Sequence, residues 1–312
     1  MNNKVEILVG YTGFVGSNLN TEHQFDGVFN SKNIKAAFGC NPDLCVYSGI
    51  RSEKFIAEAD PKNDMVSIEN AVENIKKINP KRLVLISTID VFKNPNGMDE
   101  TVTIDSNGLT AYGLNRYRLE CLATNIVKDC HILRLPGLFG KNIKKNFIYD
   151  LINFLPSILN QTQFNEFSMK EPLISEHYHF FKPGFYKLEC TTNARLALRE
   201  AFMRIGFSAL QFTDSRAVFQ FYNLNHLWKH IKITIENEIR LLHVAVEPVA
   251  VKDIYRLING YEFVNEFLEE NKIPNYNFRT KYDELFNGKK GYIFNKEQVL
   301  HEIIDFVRRE TQ

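Results

Sequence analysis

Long hydrophobic runs are missing from this sequence. Nowhere in its 312 residues do about 18 apolar residues follow one another, so no membrane-spanning helix is expected. The opening MNNKVEILVG also lacks the extended apolar stretch of a secretory leader, and a cytoplasmic protein is the expectation. Cysteine is scarce and unpatterned. Cys40, Cys45, Cys121, Cys130 and Cys190 are odd in number and contain no C-x-x-C, which argues against a disulfide framework and against a zinc knuckle. They are expected to be reduced thiols, mostly buried. His177 and His179 make an H-x-H between Pro172 and Pro183, with no further ligand at a familiar spacing; they read as ordinary histidines, and no metal is expected. An excess of either charge is absent too. With 38 Lys and Arg against 37 Asp and Glu, no overall field would draw nucleic acid or an anionic membrane, so any anionic ligand must be held by local groups.

What is present suits a folded core. Hydrophobic residues are 44% of the chain, with 25 Phe and 13 Tyr, far from the composition of disorder. At roughly 150 residues per domain the length suggests about two domains. Lys4 to Val9 is an apolar run that stops at Gly10; Asp26 to Phe29, Asp43 to Ser48, Arg82 to Ser87 and His131 to Leu135 are further runs suited to buried parallel strands. Between them, Met65 to Ile78 and Arg116 to Val127 carry apolar residues at three- and four-residue spacing, as helices do. Strands alternating with helices predict an α/β fold with a Rossmann-like, doubly wound parallel sheet and right-handed crossovers. After Gly140 the pattern becomes basic, aromatic and less regular. Later segments read as a helix over Ala194 to Ile205, strands over Phe219 to Leu224 and Ile239 to Val246, and a helix over Val251 to Ile258. The division expected is a dinucleotide-binding domain over 1–140, to which the chain returns near 219–246, and a smaller α+β substrate lobe over 141–218 and 247–312. No internal repeat or low-complexity linker interrupts it.

Gly10, Gly13 and Gly16 form G-x-x-G-x-x-G directly after the first strand. Glycine there permits positive φ in the turn and close backbone approach to a pyrophosphate, which helix N-terminal N–H groups then bind. About 20 residues past the first glycine, where a carboxylate would meet the ribose of NAD, stands Asn30, followed by Ser31 and Lys32. Donors and a positive charge at that place favour NADP over NAD. Only a short segment separates Asn30 from Asp43, so the adenine side of the site is expected to be abbreviated. Thr88 follows the Arg82 to Ser87 run, at the strand end where α/β sheets place ligands. Tyr112 lies 24 residues on, with Arg116 one helical turn beyond it. A phenol becomes a usable acid or base near neutrality only when a cation stabilises its anion, and Arg116 has that offset.

Six segments in this order, GYTGFVGSNL (10–19), DLCVYSGIRSEKFIAEADP (43–61), LVLISTIDVF (83–92), AYGLNRYRLE (111–120), ILRLPGLFG (132–140) and HVAVEPVAVKDI (243–254), resemble the extended short-chain dehydrogenase/reductase family, in its branch of nucleotide-sugar epimerases, dehydratases and 4-keto reductases. The resemblance implies that Gly10, Thr12, Gly13, Phe14, Val15 and Gly16 hold the cofactor pyrophosphate, that Asn30, Ser31 and Lys32 meet its ribose, and that Ser48, Gly49, Ser87 and Leu135 line its course. It implies Thr88 as the hydroxyl that polarises the sugar carbonyl, Tyr112 as acid–base, and Arg116 at the place of the family lysine that contacts the nicotinamide ribose. That replacement is not conservative, because arginine is planar, bulkier and never neutral. The Asp-Glu pair of the 4,6-dehydratases falls on Ile89 and Asp90, which disfavours elimination. On the substrate side the resemblance suggests Asp90, Lys144 and Asn146. The arginine that grips the substrate diphosphate is absent from the matched position, Phe219, leaving Arg216 as a substitute. The function implied is NADP- or NAD-dependent hydride transfer on a nucleotide sugar, as epimerase or 4-keto reductase, by a homodimer paired through helices including Tyr112 to Val127, with no nucleic-acid or membrane partner. The alternative is a catalytically impaired NAD(P)-binding protein acting as a cofactor sensor or scaffold, suggested by Arg116 and Phe219.

Overall fold

Apolar runs without alternation become parallel strands when both faces of a sheet are covered. The computed structural model describes residues 4–311. It builds β1 (Glu6–Val9), β2 (Gly27–Phe29), β3 (Leu44–Tyr47), β4 (Arg82–Thr88) and β5 (Asp129–Leu135) into one parallel sheet with Leu241–His243. The order is Leu241–His243, β5, β4, β3, β1, β2. The chain winds outward from β1 in one direction and from β3 in the other, so the ends of β1 and β3 flank the point where α/β sheets open a crevice. Residues 30–43 contain a single 3₁₀ turn, Ile34–Ala37, and the sheet ends at β2.

Alternation along the strands sorts the core. Ile7, Val9, Cys45, Tyr47, Leu83, Leu85, Cys130 and Ile132 face one side, where they pack with Ile68, Val72 and Ile75 of α3 (Pro61–Ile78) and Leu119 and Ala123 of α4 (Ala111–Ile126). Leu8, Val46, Val84 and Leu133 are fully buried between them in the sequence of the strands and face the other side. Helix α3 shows its sequence causes plainly. Asp60 caps it by accepting from the Asn63 N–H, Pro61 fills its first position, Lys76 and Lys77 sit at its negative end, and Asn79 closes it in the left-handed conformation. Helix α1 (Phe14–Glu22) follows the glycine turn, and His23 at its end stacks on Trp228 with ring centres 3.9 Å apart.

Two compact units emerge: residues 4–143, 218–249 and 274–302 form the first, and 144–217, 250–273 and 303–311 the second. The second contains an antiparallel sheet of Ile158–Asn160, Phe185–Leu188 and Tyr178–Lys182 over a core of Leu159, Phe167, Ile174, Tyr178, Leu198 and Phe202. Those strands carry no clear alternation and fall in the stretch that reads as irregular from sequence. Two expectations need correction. The single strand over Phe219 to Leu224 is broken at Gln220, whose buried amide bonds the backbone of Val246 and Phe278; Phe221–Asn223 then pairs with Gly137–Phe139, outside the main sheet. Of the five free cysteines only Cys45 and Cys130 are buried, while Cys40 and Cys121 are exposed, Cys121 because it lies on the outer face of α4.

The first unit also buries His131, His230 and His243, and the last two are the most strongly perturbed. His230 pairs with the Tyr222 hydroxyl at 2.8 Å, and His243 lies between Arg134 and the Arg279 carbonyl. Burial, reinforced by nearby positive charge from His226 and Lys229 for the first and Arg134 for the second, pushes each down to about 3. Between the ordinary histidine value near 6.5 and about 3, the unfolded chain therefore binds more protons than the folded one. Their stabilising contribution is complete above about pH 6.5 and is lost as pH falls toward 3. The thermal midpoint should accordingly drop from pH 7 to pH 4, and His243→Gln should show a shallower dependence; equal slopes for the two proteins would refute the assignment.

Candidate active site

At the end of β1 the chain turns with almost no room for side chains. Gly10 has φ +93°, and a Cβ there would lie 2.6 Å from the Ser48 backbone; one on Gly16 would lie 2.1 Å from the Gly10 carbonyl. The turn is tied to its neighbours by Gly10 N–H donating to the Phe29 carbonyl and by the Ser48 hydroxyl donating to the Val9 carbonyl. Gly13 caps α1 without any side-chain acceptor, which leaves the first-turn N–H groups of Phe14 and Val15 to be met from outside the helix. Thr12 and Gly13 are exposed. A glycine cradle opening onto an uncapped helix N-terminus at the sheet's switch point fits a pyrophosphate. Past β2, the Asn30 side chain accepts from Lys32 N–H and Asn33 accepts from Asn30 N–H, a knot that presents Ser31 and Lys32 to solvent.

The hydroxyl and the phenol expected from the sequence come from neighbouring elements at the same end of the sheet. Thr88 ends β4; its hydroxyl accepts from Asp90 N–H and donates to Asp90 Oδ2 at 3.1 Å. Tyr112 occupies the first turn of α4. Thr110 caps that turn and the Glu58 carboxylate accepts from Ala111 and Tyr112 N–H at 3.2 and 3.0 Å. Burial pushes the Glu58 carboxyl up, but these hydrogen bonds outweigh it and hold it below its ordinary value. Gly113 explains how the turn can descend so far: a Cβ there would lie 2.2 Å from the Asp90 carbonyl. Between the two elements sits a cation absent from the expected set, Lys54 of α2 (Lys54–Ala59). Its Nζ is 2.6 Å from Asp90 Oδ2 and 6.0 Å from the centre of the Tyr112 ring. Tyr276 brings a further hydroxyl to Asp90 Oδ1 at 3.5 Å. Burial raises the Tyr112 phenol above its ordinary value; Arg116 and Lys54 pull it down, and Asp90 pushes it up.

Arg116 does not reach into the open. Its guanidinium is buried, with Nη1 2.9 Å and Nη2 3.1 Å from the two oxygens of Asp64, and Nη2 also donates to the Arg51 carbonyl. The fork is thus satisfied within the fold, with its carbon 4.4 Å from the centre of the Tyr112 ring. Arginine's planar donors match a carboxylate along two bonds, which lysine could not do.

The remaining expected residues are distributed more widely. Ser87 donates to Glu120 at 2.5 Å, Glu120 holds Arg134 along both oxygens, and Arg134 donates to His243, a buried polar chain beneath the site. Gly49 is exposed beside the glycine turn, and Leu135 is buried at the end of β5. Lys144, Asn146 and Arg216 belong to the second unit. Lys144 is exposed; Asn146 caps α5 (Phe147–Ile152) by accepting from Ile148 and Tyr149 N–H. Arg216 is bound by Asp214 at 2.8 Å and by the Leu268 carbonyl at 2.7 Å, and its hydrogen bond to Asp214 holds that carboxyl far below its usual range. Lys54, Asp64 and Tyr276 were not legible as site residues. Lys54 lies within the 43–61 segment, but no spacing ties it to Asp90 across the intervening helices.

No protein-family model matches the sequence, and no curated protein matches it. Solved structures do. The dTDP-4-dehydrorhamnose reductase of Yersinia enterocolitica superimposes with a TM-score of 0.64 at 12% identity, covering 99% of this chain and 100% of that one. The Bacillus anthracis dTDP-4-dehydrorhamnose reductase, solved with NADP, gives 0.63 at 16% identity over 99% of both chains. The Thermotoga maritima UDP-glucose 4-epimerase, solved with UDP-glucose, gives 0.62 at 14% identity over 98% of this chain and 99% of that one. The chain therefore has the fold of these reductases and epimerases over its full length.

The buried Arg116–Asp64 pair makes a direct prediction. Removing one partner leaves a charge stranded in a poor solvent for it, at a cost of about 3–5 kcal/mol. Asp64→Ala should lose stability on that scale in urea unfolding, and a loss below about 1 kcal/mol would show that the pair does not anchor α3 to α4.

Proposed function

We propose that this chain, with the fold of nucleotide-sugar reductases and epimerases, is an NAD(P)-dependent oxidoreductase or epimerase acting on a nucleotide-activated sugar. The observation that carries the reading is that Thr88, bonded to Asp90, and Tyr112, beside Lys54, are joined through the Lys54–Asp90 pair at the end of the sheet where the glycine turn opens. A bound nicotinamide supplies or accepts the hydride. The Gly10–Gly16 turn and the first-turn N–H groups of α1 hold the pyrophosphate, while Asn30, Ser31 and Lys32 meet the ribose and, lacking a carboxylate, favour NADP. NADP in the Bacillus anthracis neighbour supports that preference.

On substrate binding Thr88 exchanges its hydrogen bond to Asp90 for one to the sugar carbonyl oxygen, and Tyr112 delivers or removes the proton at that oxygen. Ketoreduction and epimerisation need only this pair. Dehydration would need an acid at position 89, where Ile89 is buried in the core. UDP-glucose in the Thermotoga maritima neighbour supports a nucleotide sugar as substrate. Lys144 is the second unit's candidate for the diphosphate, with Asn146 toward a sugar hydroxyl; Arg216, already bound by Asp214, is less suited. Two copies paired through the outer face of α4, where Leu122 is exposed, complete the reading, and a monomeric mass by light scattering would remove that part of it.

A second reading rests on Arg116. Its guanidinium is buried and bonded to Asp64 and the Arg51 carbonyl rather than presented at the surface, as befits a cofactor sensor or scaffold. One set of measurements separates the two. NADPH at 100 times its Kd should raise unfolding stability by about 2.7 kcal/mol. Turnover of UDP- or dTDP-4-keto sugars should fall at least ~100-fold in Tyr112→Phe. Unchanged turnover in that variant refutes the mechanism, and NADPH binding without turnover of any sugar in the panel favours the sensor.

A further inference from the structure

The constellation around Tyr112 contains two cations of different character. Arg116 is fixed: buried, forked onto Asp64 and bonded to the Arg51 carbonyl, it lies against the face of the ring. Lys54 stands at the edge. Its side chain is 52% exposed, it is carried on a short helix, and it forms an ion pair with Asp90, whose side chain is 18% exposed. Asp90 in turn gathers the Thr88 and Tyr276 hydroxyls. An aspartate this close to a phenol that must become an anion is an obstacle, because like charges disfavour each other's formation. A lysine ammonium 2.6 Å from that aspartate removes the obstacle, and with three donors it keeps capacity after serving Asp90.

We propose that Lys54 is a positioning residue for the acid–base step: it compensates Asp90 beside Tyr112 and supplies the mobile ammonium that the arginine at position 116 does not. The two tasks of a single lysine are divided here, a fixed charge from α4 and a donor from α2. The inference rests on Tyr112 being the acid–base of the proposed reaction. The ionisable groups around Tyr112 are Asp90 after β4, Lys54 and, through the backbone, Glu58 from α2, Arg116 on its own helix with Asp64 of α3 behind it, and Tyr276 across Asp90. Of these, Asp90 and Tyr276 meet at the lysine. Burial alone would push the Lys54 ammonium down, yet Asp90 holds it above its ordinary value, so it stays charged at neutral pH.

The test reads the phenol itself. With 3,5-difluorotyrosine at position 112, whose phenol ionises well below that of tyrosine, fluorine NMR follows its titration in the protein without cofactor. Lys54→Met should raise the midpoint by at least one pH unit, a tenfold change. Lys54→Arg should restore most of it, and Lys54→Met combined with Asp90→Asn should return it close to the original value. An unchanged midpoint in Lys54→Met overturns the proposal, as does a shift that the added Asp90→Asn leaves in place. In parallel, the pH profile of kcat should move with the midpoint. A shifted midpoint in a protein that turns over no sugar keeps the Lys54 assignment while the catalytic reading falls; turnover with an unshifted midpoint does the reverse.

Discussion

The carboxylate of Asp64 governs the site from below. By taking the Arg116 fork along both oxygens, and the Asn115 amide as well, it pins the first turns of α4 to the start of α3. The height of Tyr112 above the sheet follows from that attachment, together with the Glu58 and Thr110 caps and the missing side chain at Gly113. A buried ion pair contributes little net stability compared with an apolar contact of the same shape, but it specifies one arrangement because every alternative strands a charge. Placement of the phenol is what such specificity secures here.

Much of this was legible in the sequence, and the reason is physical. Buried parallel strands must read as apolar runs, amphipathic helices as three- and four-residue repeats, and a βα turn pressed against a neighbouring strand must have glycine where backbone meets backbone. Hence β1, β3, β4 and β5, α3, the Gly10 turn and the Thr88–Tyr112 spacing could all be read in advance. The helix of α4 starts five residues before the apolar spacing suggests, since its first turn is fixed by caps rather than by hydrophobic periodicity. The break at Gln220 escaped notice because an amide satisfied by distant backbone leaves no local trace. The role of Asp64 escaped for the same reason: 52 positions separate it from Arg116, and only the fold brings them together.

Beneath the site, Ser87, Glu120, Arg134 and His243 form a second buried polar chain across β4, α4, β5 and the last strand of the sheet. Tyr112, Arg116 and Glu120 recur at four-residue intervals on one face of α4, so one helix stripe contributes to both layers. The neutral His243 accepts from Arg134 and donates toward the Arg279 carbonyl, which closes the chain without leaving a donor unmet. Rigidity in the lower layer supports geometry in the upper one.

The shape of the main sheet has a bearing on how the protein survives at high concentration. Its two longest strands, β4 and β5, run seven residues each, while the strands at its borders, Gly27–Phe29 and Leu241–His243, run three. A border strand is a template on which another chain can align, and a template of three residues offers too few bonds to hold one. At one border the His243 N–H is in addition taken by the Glu100 carboxylate; at the other, Asn33 reaches back to the Val28 carbonyl. The open parallel sheet thus tapers to edges that offer a stranger little to pair with, and amyloid-like stacking of folded molecules is obstructed by the same short border strands.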